Sequence, residues 1–331
     1  MSDAMSAASS AVELWEQPQA AEIYMLAGWQ QWADAGSASS GLPNYVIDVT
    51  KARQIGKIDP SGFYLFQFPG THDLVRPTVR YENGVPVALE GPRNEIYYAG
   101  NEQRGLVIFR GDEPHMDIER YVAAILHIIK RLGVKRTIGL GGVYGEVPYD
   151  RERTVTASCS LPRLRDDLSE YAVQLTDFKG GASIGSYICR RAGEQDLEYI
   201  GLYTFVPLFS LADPTQPISA LRIENDFIAW VGLMRRIRHM FKLDIDLGDL
   251  ERRGQQLLRA LDERIDEIDR VAPESGIREY IQKISAEFTE TPYAPLDDVW
   301  EDEIRRLMTK FDGDEQFDGD EQFDDGEKPD D

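Results

Sequence analysis

A chain of 331 residues, 42% of them apolar and 10% aromatic, can bury a sizeable core, which excludes disorder throughout. It carries 36 basic and 58 acidic residues, a net charge of −22; eleven of the acids follow Phe311 against Lys328 alone, so the acidic balance splits as −10 there and −12 before it. Such a surface repels phosphate backbones and anionic lipid, so neither a nucleic acid nor a membrane is an expected partner.

Residues 1–20 are small and polar and read as a flexible N-terminal arm. They lack a basic stretch followed by an apolar one, so no signal peptide is expected. No apolar run approaches the roughly 20 residues that span a bilayer, and a cytoplasmic location is the expectation. Glu22–Trp29 is a short apolar run, a good first strand. Asp34 precedes a stretch of small residues and has two readings: a group held over a strand end, or a helix cap.

Residues 53–100 alternate short β-like pieces with turns: Phe63–Phe68, Arg76–Tyr81, Val85–Leu89 and Glu95–Tyr98. Asn83-Gly84 is the strongest hairpin signal in the chain, because the favoured two-residue turn needs positive φ at both positions. Leu106–Phe109 then reads as a strand covered on both faces. Glu113-Pro114 fits a helix start with proline in the first position. Ile118, Tyr121, Val122, Ile125, Leu126, Ile129 and Leu132 recur at helical spacing up to Gly133, where a left-handed residue would stop the helix. Thr137–Leu140 is the next strand, broken by Gly141-Gly142; strand, helix and strand with short joints predict a parallel crossover.

A second alternation follows: extended Arg153–Ser158, a helix near Arg163–Ser169, a strand at Ala172–Asp177, and a helix Ser183–Arg191 entered from Gly180-Gly181. Ile200–Val206 is another strand, expected to stop at Pro207, and Ile218–Phe241 carries a long helical pattern. The fold class predicted is α/β, a three-layer, mostly parallel or mixed sheet flanked by helices, occupying residues 21–242. Residues 243–310 read as charged C-terminal helices packed on that body or on a neighbour, with members at Ser275–Phe288 and Leu296–Phe311. The tail 311–331 repeats an acidic hexapeptide that cannot bury enough surface to fold; it serves solubility or docks a partner through Phe311, Phe317 and Phe323.

Chemistry has few footholds. There is no GxGxxG after a strand, no P-loop, no HExxH and no GxSxG, so no cofactor is expected. The four histidines are scattered, so no metal site is expected, and Cys159 and Cys189 read as small buried side chains. Open α/β sheets bind ligands beyond the strand ends, and there the loops bring Asp112, Glu113, His115, Glu146, Asp150, Arg151 and Arg153. A carboxylate pair would supply acid and base, and the arginines would hold an anion. The structural alternatives are a helix cap for Asp112 or Glu113 and surface ion pairs for Arg151 and Arg153. Ser183 and Ser186 read either as a phosphate turn at a helix start or as a tight joint.

Several segments in order resemble the PAC2 (proteasome assembly chaperone 2) family. They are Gly28-Trp29 with Trp32-Ala33-Asp34-Ala35-Gly36, Arg76-Pro77, Gly111-Asp112-Glu113-Pro114, the run from Gly141 to Arg151, Gly180 to Gly185, and Phe205-Val206-Pro207 with Pro214 and Pro217. The resemblance covers about residues 21–270. It implies a fold similar to nucleoside phosphorylases and hydrolases, self-association into a small ring, and an assembly role without an established reaction. Tyr149-Asp150 and Leu208-Phe209 stand where that family commonly has histidines, so a catalytic histidine is not carried over. The Lys-Pro-Asp-Asp end lacks the hydrophobic-Tyr-X docking signal of some members. The candidate pocket comprises Asp34, Arg76, Asp112, Glu113, Gly141, Gly142, Glu146 and Arg151. The alternative function is a hydrolase- or phosphorylase-like enzyme, or a binder, acting on a small anionic metabolite at the strand ends.

Overall fold

A computed structural model describes residues 11–30, 32–67, 76–209, 221–291 and 293. In chain order the elements are β1 (Val12–Leu14), β2 (Glu22–Gln30), α1 (Gly41–Thr50), β3 (Arg53–Ile58), β4 (Thr78–Glu82), β5 (Val85–Glu90), β6 (Asn94–Gly100) and β7 (Arg104–Asp112). There follow α2 (Ile118–Arg131), β8 (Val134–Gly145), β9 (Val155–Cys159), α3 (Leu164–Leu168), β10 (Gln174–Leu175), α4 (Ile184–Gly193), β11 (Tyr199–Phe209), β12 (Leu221–Arg222), α5 (Phe227–Phe241), α6 (Gly248–Val271) and α7 (Ile277–Glu287).

The most apolar strands form the centre of one mixed sheet, because only there are both faces covered. The order is β1-β3-β6-β7-β2-β8-β11-β9-β10, with β12 against β11. β7, β2, β8 and β11 run parallel; β6 and β9 flank them antiparallel. Tyr24, Leu26, Ile138, Leu140, Ile200 and Leu202 point to the face covered by α1, α3 and α5. Met25, Ala27, Val107, Phe109 and Tyr199 point to the face covered by α2 and α4. Alternation along each strand therefore feeds two cores, one per face, and the α/β fold has three layers. α6 continues the helical cover, with Leu250 in the first core and Leu261 packed near Val206 and Ala35.

Several expectations are corrected. Residues 12–14 of the supposed arm are strand β1, paired antiparallel with Ile58–Gly56, and Ala11 is buried. The expected crossover from β7 to β8 is parallel, but β2 lies between the two strands, so it passes over a strand contributed much earlier in the chain. Phe63–Gln67 turns and bends rather than extending. The helix expected at Glu113-Pro114 starts at Ile118, because the His115 and Met116 amides donate to the Phe63 carbonyl (2.8 and 3.0 Å) instead of entering a helix. Pro207 lies within β11, paired with Gly145. The long pattern before Phe241 becomes a helix only at Phe227, where the Asp226 carboxylate accepts from the Ile228 and Ala229 amides.

Gly141-Gly142 likewise does not break its strand. Both lie inside β8, where a side chain at Gly142 would start 2.1 Å from the Ala35 carbonyl oxygen and one at Gly141 2.3 Å from the Tyr203 ring. The glycines let backbone and ring close in on the strand. The Asn83-Gly84 hairpin forms as expected, with φ of 49° and 80°. Among the described residues it is a two-stranded sheet of its own, joined to no other strand. Pro214, Pro217, the segment 296–311 and the acidic tail lie outside the described residues.

Candidate functional site

Because β7, β2, β8 and β11 are parallel, their C-terminal ends share one edge of the sheet. Several of the expected site residues lie at this edge, and Asp34 is engaged in holding it together. Asp34 Oδ1 accepts from the Ser39 and Ser40 amides (both 2.9 Å) and its Oδ2 from the Ser40 hydroxyl (2.6 Å), which ties the loop before α1. Burial raises the Asp34 pKa against the lowering effect of those donors. The Gly142 amide donates to the Ala33 carbonyl (2.9 Å), so Asp34 and Gly142 do meet, as backbone neighbours.

The others spread out. Asp112 accepts from the Arg93 amide at 2.6 Å, with its pKa raised by burial. His115 accepts from the Leu65 amide through Nδ1 (3.2 Å), and burial lowers its pKa. The Arg76 guanidinium lies 4.6 Å from the Phe66 ring and donates to Gln67. Glu146 is exposed beside Tyr280 of α7. Arg151, half exposed, is 3.8 Å from Glu290 and 4.0 Å from Asp150. Arg153 is fully buried on Asp226 (2.8 Å), not on a surface acid. The expected acids and arginines therefore do not converge on one reacting atom.

Glu113 performs an unforeseen task. It caps a different helix from its own: Oε1 accepts from the Ile184 amide (2.8 Å), the first residue of α4, and Oε2 from the Trp32 amide (3.2 Å). One carboxylate thus joins the chain beyond β7, the chain beyond β2 and the start of α4. Burial raises its pKa, opposed by the two amide bonds. The Ser186 amide is taken by the Ser183 hydroxyl (3.2 Å). The phosphate-turn reading of Ser183 and Ser186 is corrected accordingly, since a carboxylate already occupies the positive end of this helix.

Beside that cap lies a cavity of about 660 Å³, between α4 and the C-terminal halves of β8, β9 and β11. Its floor carries three hydroxyls: Ser183 and Ser186 are 3.1 Å apart, and Tyr203 lies 3.1 Å from the first and 2.9 Å from the second. Trp32 and Phe178, 72% and 77% exposed, stand at its rim. Burial raises the Tyr203 pKa, and the Glu113 charge adds to that. Cys159 and Cys189 also line it; burial pushes the Cys189 thiol up to about 11, which leaves it protonated and unreactive near neutrality. Sequence reasoning reached Ser183 and Ser186 but not Tyr203, whose hydroxyl arrives across the sheet from a strand read only as apolar.

Among the described residues no group of three or more His, Cys, Asp or Glu side chains is placed to hold a metal ion, and no helix is long and apolar enough to cross a membrane. Residues 28–265 match the family model described as the PAC2 family. The chain belongs to the PAC2 family. No curated protein matches it. Solved structures similar to this PAC2 chain include a proteasome-assembly chaperone homologue from Mycobacterium tuberculosis, 21% identical over 78% of this chain and 99% of that one, with a TM-score of 0.64. A PAC2 family protein from Streptomyces avermitilis is 23% identical over 78% and 99%, with a TM-score of 0.63. An archaeal proteasome activator from Pyrococcus furiosus is 16% identical over 76% and 97%, with a TM-score of 0.55. At these identities the likeness establishes a shared PAC2 fold.

Proposed function

We propose that this PAC2 protein is a cytoplasmic assembly or partner-binding protein that associates with itself into a small ring, without an established reaction. The observation that supports self-association most directly is the hairpin β4–β5. Val79, Tyr81, Val85, Val87 and Leu89 are all exposed on it, and Val79 faces Leu89 across the strand pair. An isolated two-stranded hairpin is marginal in water unless an apolar face is covered, and a second copy offers such a cover. The chaperone homologue and the proteasome activator among similar structures support the assembly reading, as does the engagement of the strand-end acids and arginines in structural bonds. The hydrolase or phosphorylase alternative draws no support from the site. On this reading the charged helices and the acidic segment 311–331 face partners.

Size-exclusion chromatography with light scattering tests it. The full chain runs as an oligomer at micromolar concentration, and Val79→Lys with Leu89→Lys yields a folded monomer. A strict monomer for the unaltered chain overturns the reading.

A further inference from the structure

We propose that the cavity between α4 and β9–β11 binds a small, neutral aromatic molecule that donates a hydrogen bond, of the class of phenols and indoles. This ligand site is independent of the self-association proposed above.

Its size is the first argument. About 660 Å³ lies within the roughly 300–1,000 Å³ of small-molecule sites, and an apolar wall with a few convergent polar groups is their usual construction. The rim selects for a ring. Trp32 and Phe178 flank the same Gly180-Gly181 turn: a side chain at Gly180 would meet the Phe178 ring at 2.3 Å, and one at Gly181 the Trp32 ring at 3.6 Å. A single exposed aromatic needs no explanation, but two exposed aromatics lining one cavity offer it apolar ring surface that suits a planar guest.

The floor selects for a donor. Each hydroxyl has one proton to give, and the three oxygens lie within 2.9–3.1 Å of one another. Their protons can run round the triangle, each satisfying the next oxygen. Ser183 Oγ also accepts from the Ser186 amide (3.2 Å), which fills both its lone pairs. Ser186 then keeps an open acceptor position, and a guest O–H or N–H is what completes it.

Charge selects for neutrality. The Glu113 carboxylate sits on the Ile184 amide at the first turn of α4, beside the floor, and repels an anion. Arg190 also lines the cavity, but its side chain is 79% exposed and shares Glu194 with Arg191 (3.4 and 3.0 Å). Water therefore screens it, and Glu113 is the charge beside the floor.

The test uses the full chain, with 2-naphthol as the neutral donor and 2-naphthalenesulfonate as its anionic counterpart, by calorimetry and ligand-observed NMR. The expected result is saturable, one-to-one binding of 2-naphthol with a dissociation constant on the order of 100 μM, and sulfonate binding at least about tenfold weaker. Phe178→Ser, at an exposed position, weakens 2-naphthol several-fold, as does Ser186→Ala at the floor. Ser186→Phe, which fills the cavity, abolishes binding; should it fail to fold, the other two variants decide. No saturation up to about 1 mM, equal binding of the sulfonate, or affinity unchanged in Phe178→Ser and Ser186→Ala each overturns the proposal.

Discussion

Arg153 and Asp226 form an ion pair from which water is wholly excluded: Nε lies 2.8 Å from Oδ2, and both side chains have no exposed surface. The pair joins parts of the chain 73 residues apart. Arg153 also donates to the carbonyls of Pro148, Tyr149 and Arg151, which moulds the loop between β8 and β9. Asp226 caps α5, and its amide donates to the Gly36 carbonyl (3.0 Å). The loops on the helix face of the sheet edge therefore depend on two charges.

Removing one charge strands the other. Arg153→Met leaves Asp226 buried without a counter-ion and is expected to cost about 3–5 kcal/mol. The double variant Arg153→Met, Asp226→Asn loses less than the two single losses added together, because neither side is left charged. Urea denaturation of the four proteins measures this coupling.

Glu113 gives a pH signature. Its folded pKa is raised by burial, so the protonated form is favoured more in the folded than in the unfolded chain. Its contribution is then greatest below the unfolded pKa and is lost as pH rises through the folded value. The stability of the unaltered protein relative to Glu113→Gln should increase as pH falls from 7 through the upper glutamate range. A difference that does not vary with pH in denaturation titrations refutes the assignment.

Gly142→Ala is expected to destabilise by about 1–3 kcal/mol or more, since the new methyl would begin 2.1 Å from a backbone carbonyl oxygen that belongs to another element. Gly84→Ala touches nothing and suffers only from its positive φ of 80°, about 1 kcal/mol on the scale of such backbone strain. Thermal melts of the two rank the sites.

The cysteines should differ in reactivity. Cys189 is buried with its thiol pushed up to about 11, whereas Cys159 is partly exposed. N-ethylmaleimide at neutral pH is expected to label Cys159 first, with Cys189 labelled only on unfolding. Mass spectrometry of a time course reads the order directly.

The sheet was legible where the signal was local. The apolar runs Glu22–Trp29 and Leu106–Phe109, the Asn83-Gly84 turn and the stop at Gly133, with φ of 61°, depend on neighbours in sequence. What stayed hidden depends on distant partners. Gly141-Gly142 reads as a break until Tyr203 and Ala35 are seen against it. Glu113 reads as a cap for the helix beside it, yet it caps α4, 71 residues on. At the candidate site, residue types named the charged groups correctly as cap formers and ion pairers in general, but not which helix or counter-ion each one serves. The hydroxyl floor escaped notice because Tyr203 lies in a run that periodicity registers only as apolar.

The place of β2 in the sheet has a kinetic consequence. This strand emerges early, yet both its partners, β7 and β8, come more than 70 residues later. At a synthesis rate of roughly 5–20 residues per second, a strand buried almost from end to end waits several seconds with its edges bare. Pairing over such separations also slows folding, because loop-closure entropy is lost before any contact compensates. The centre of this molecule cannot close until Gly145 has emerged, and until then β2 is an adhesive edge on the nascent chain.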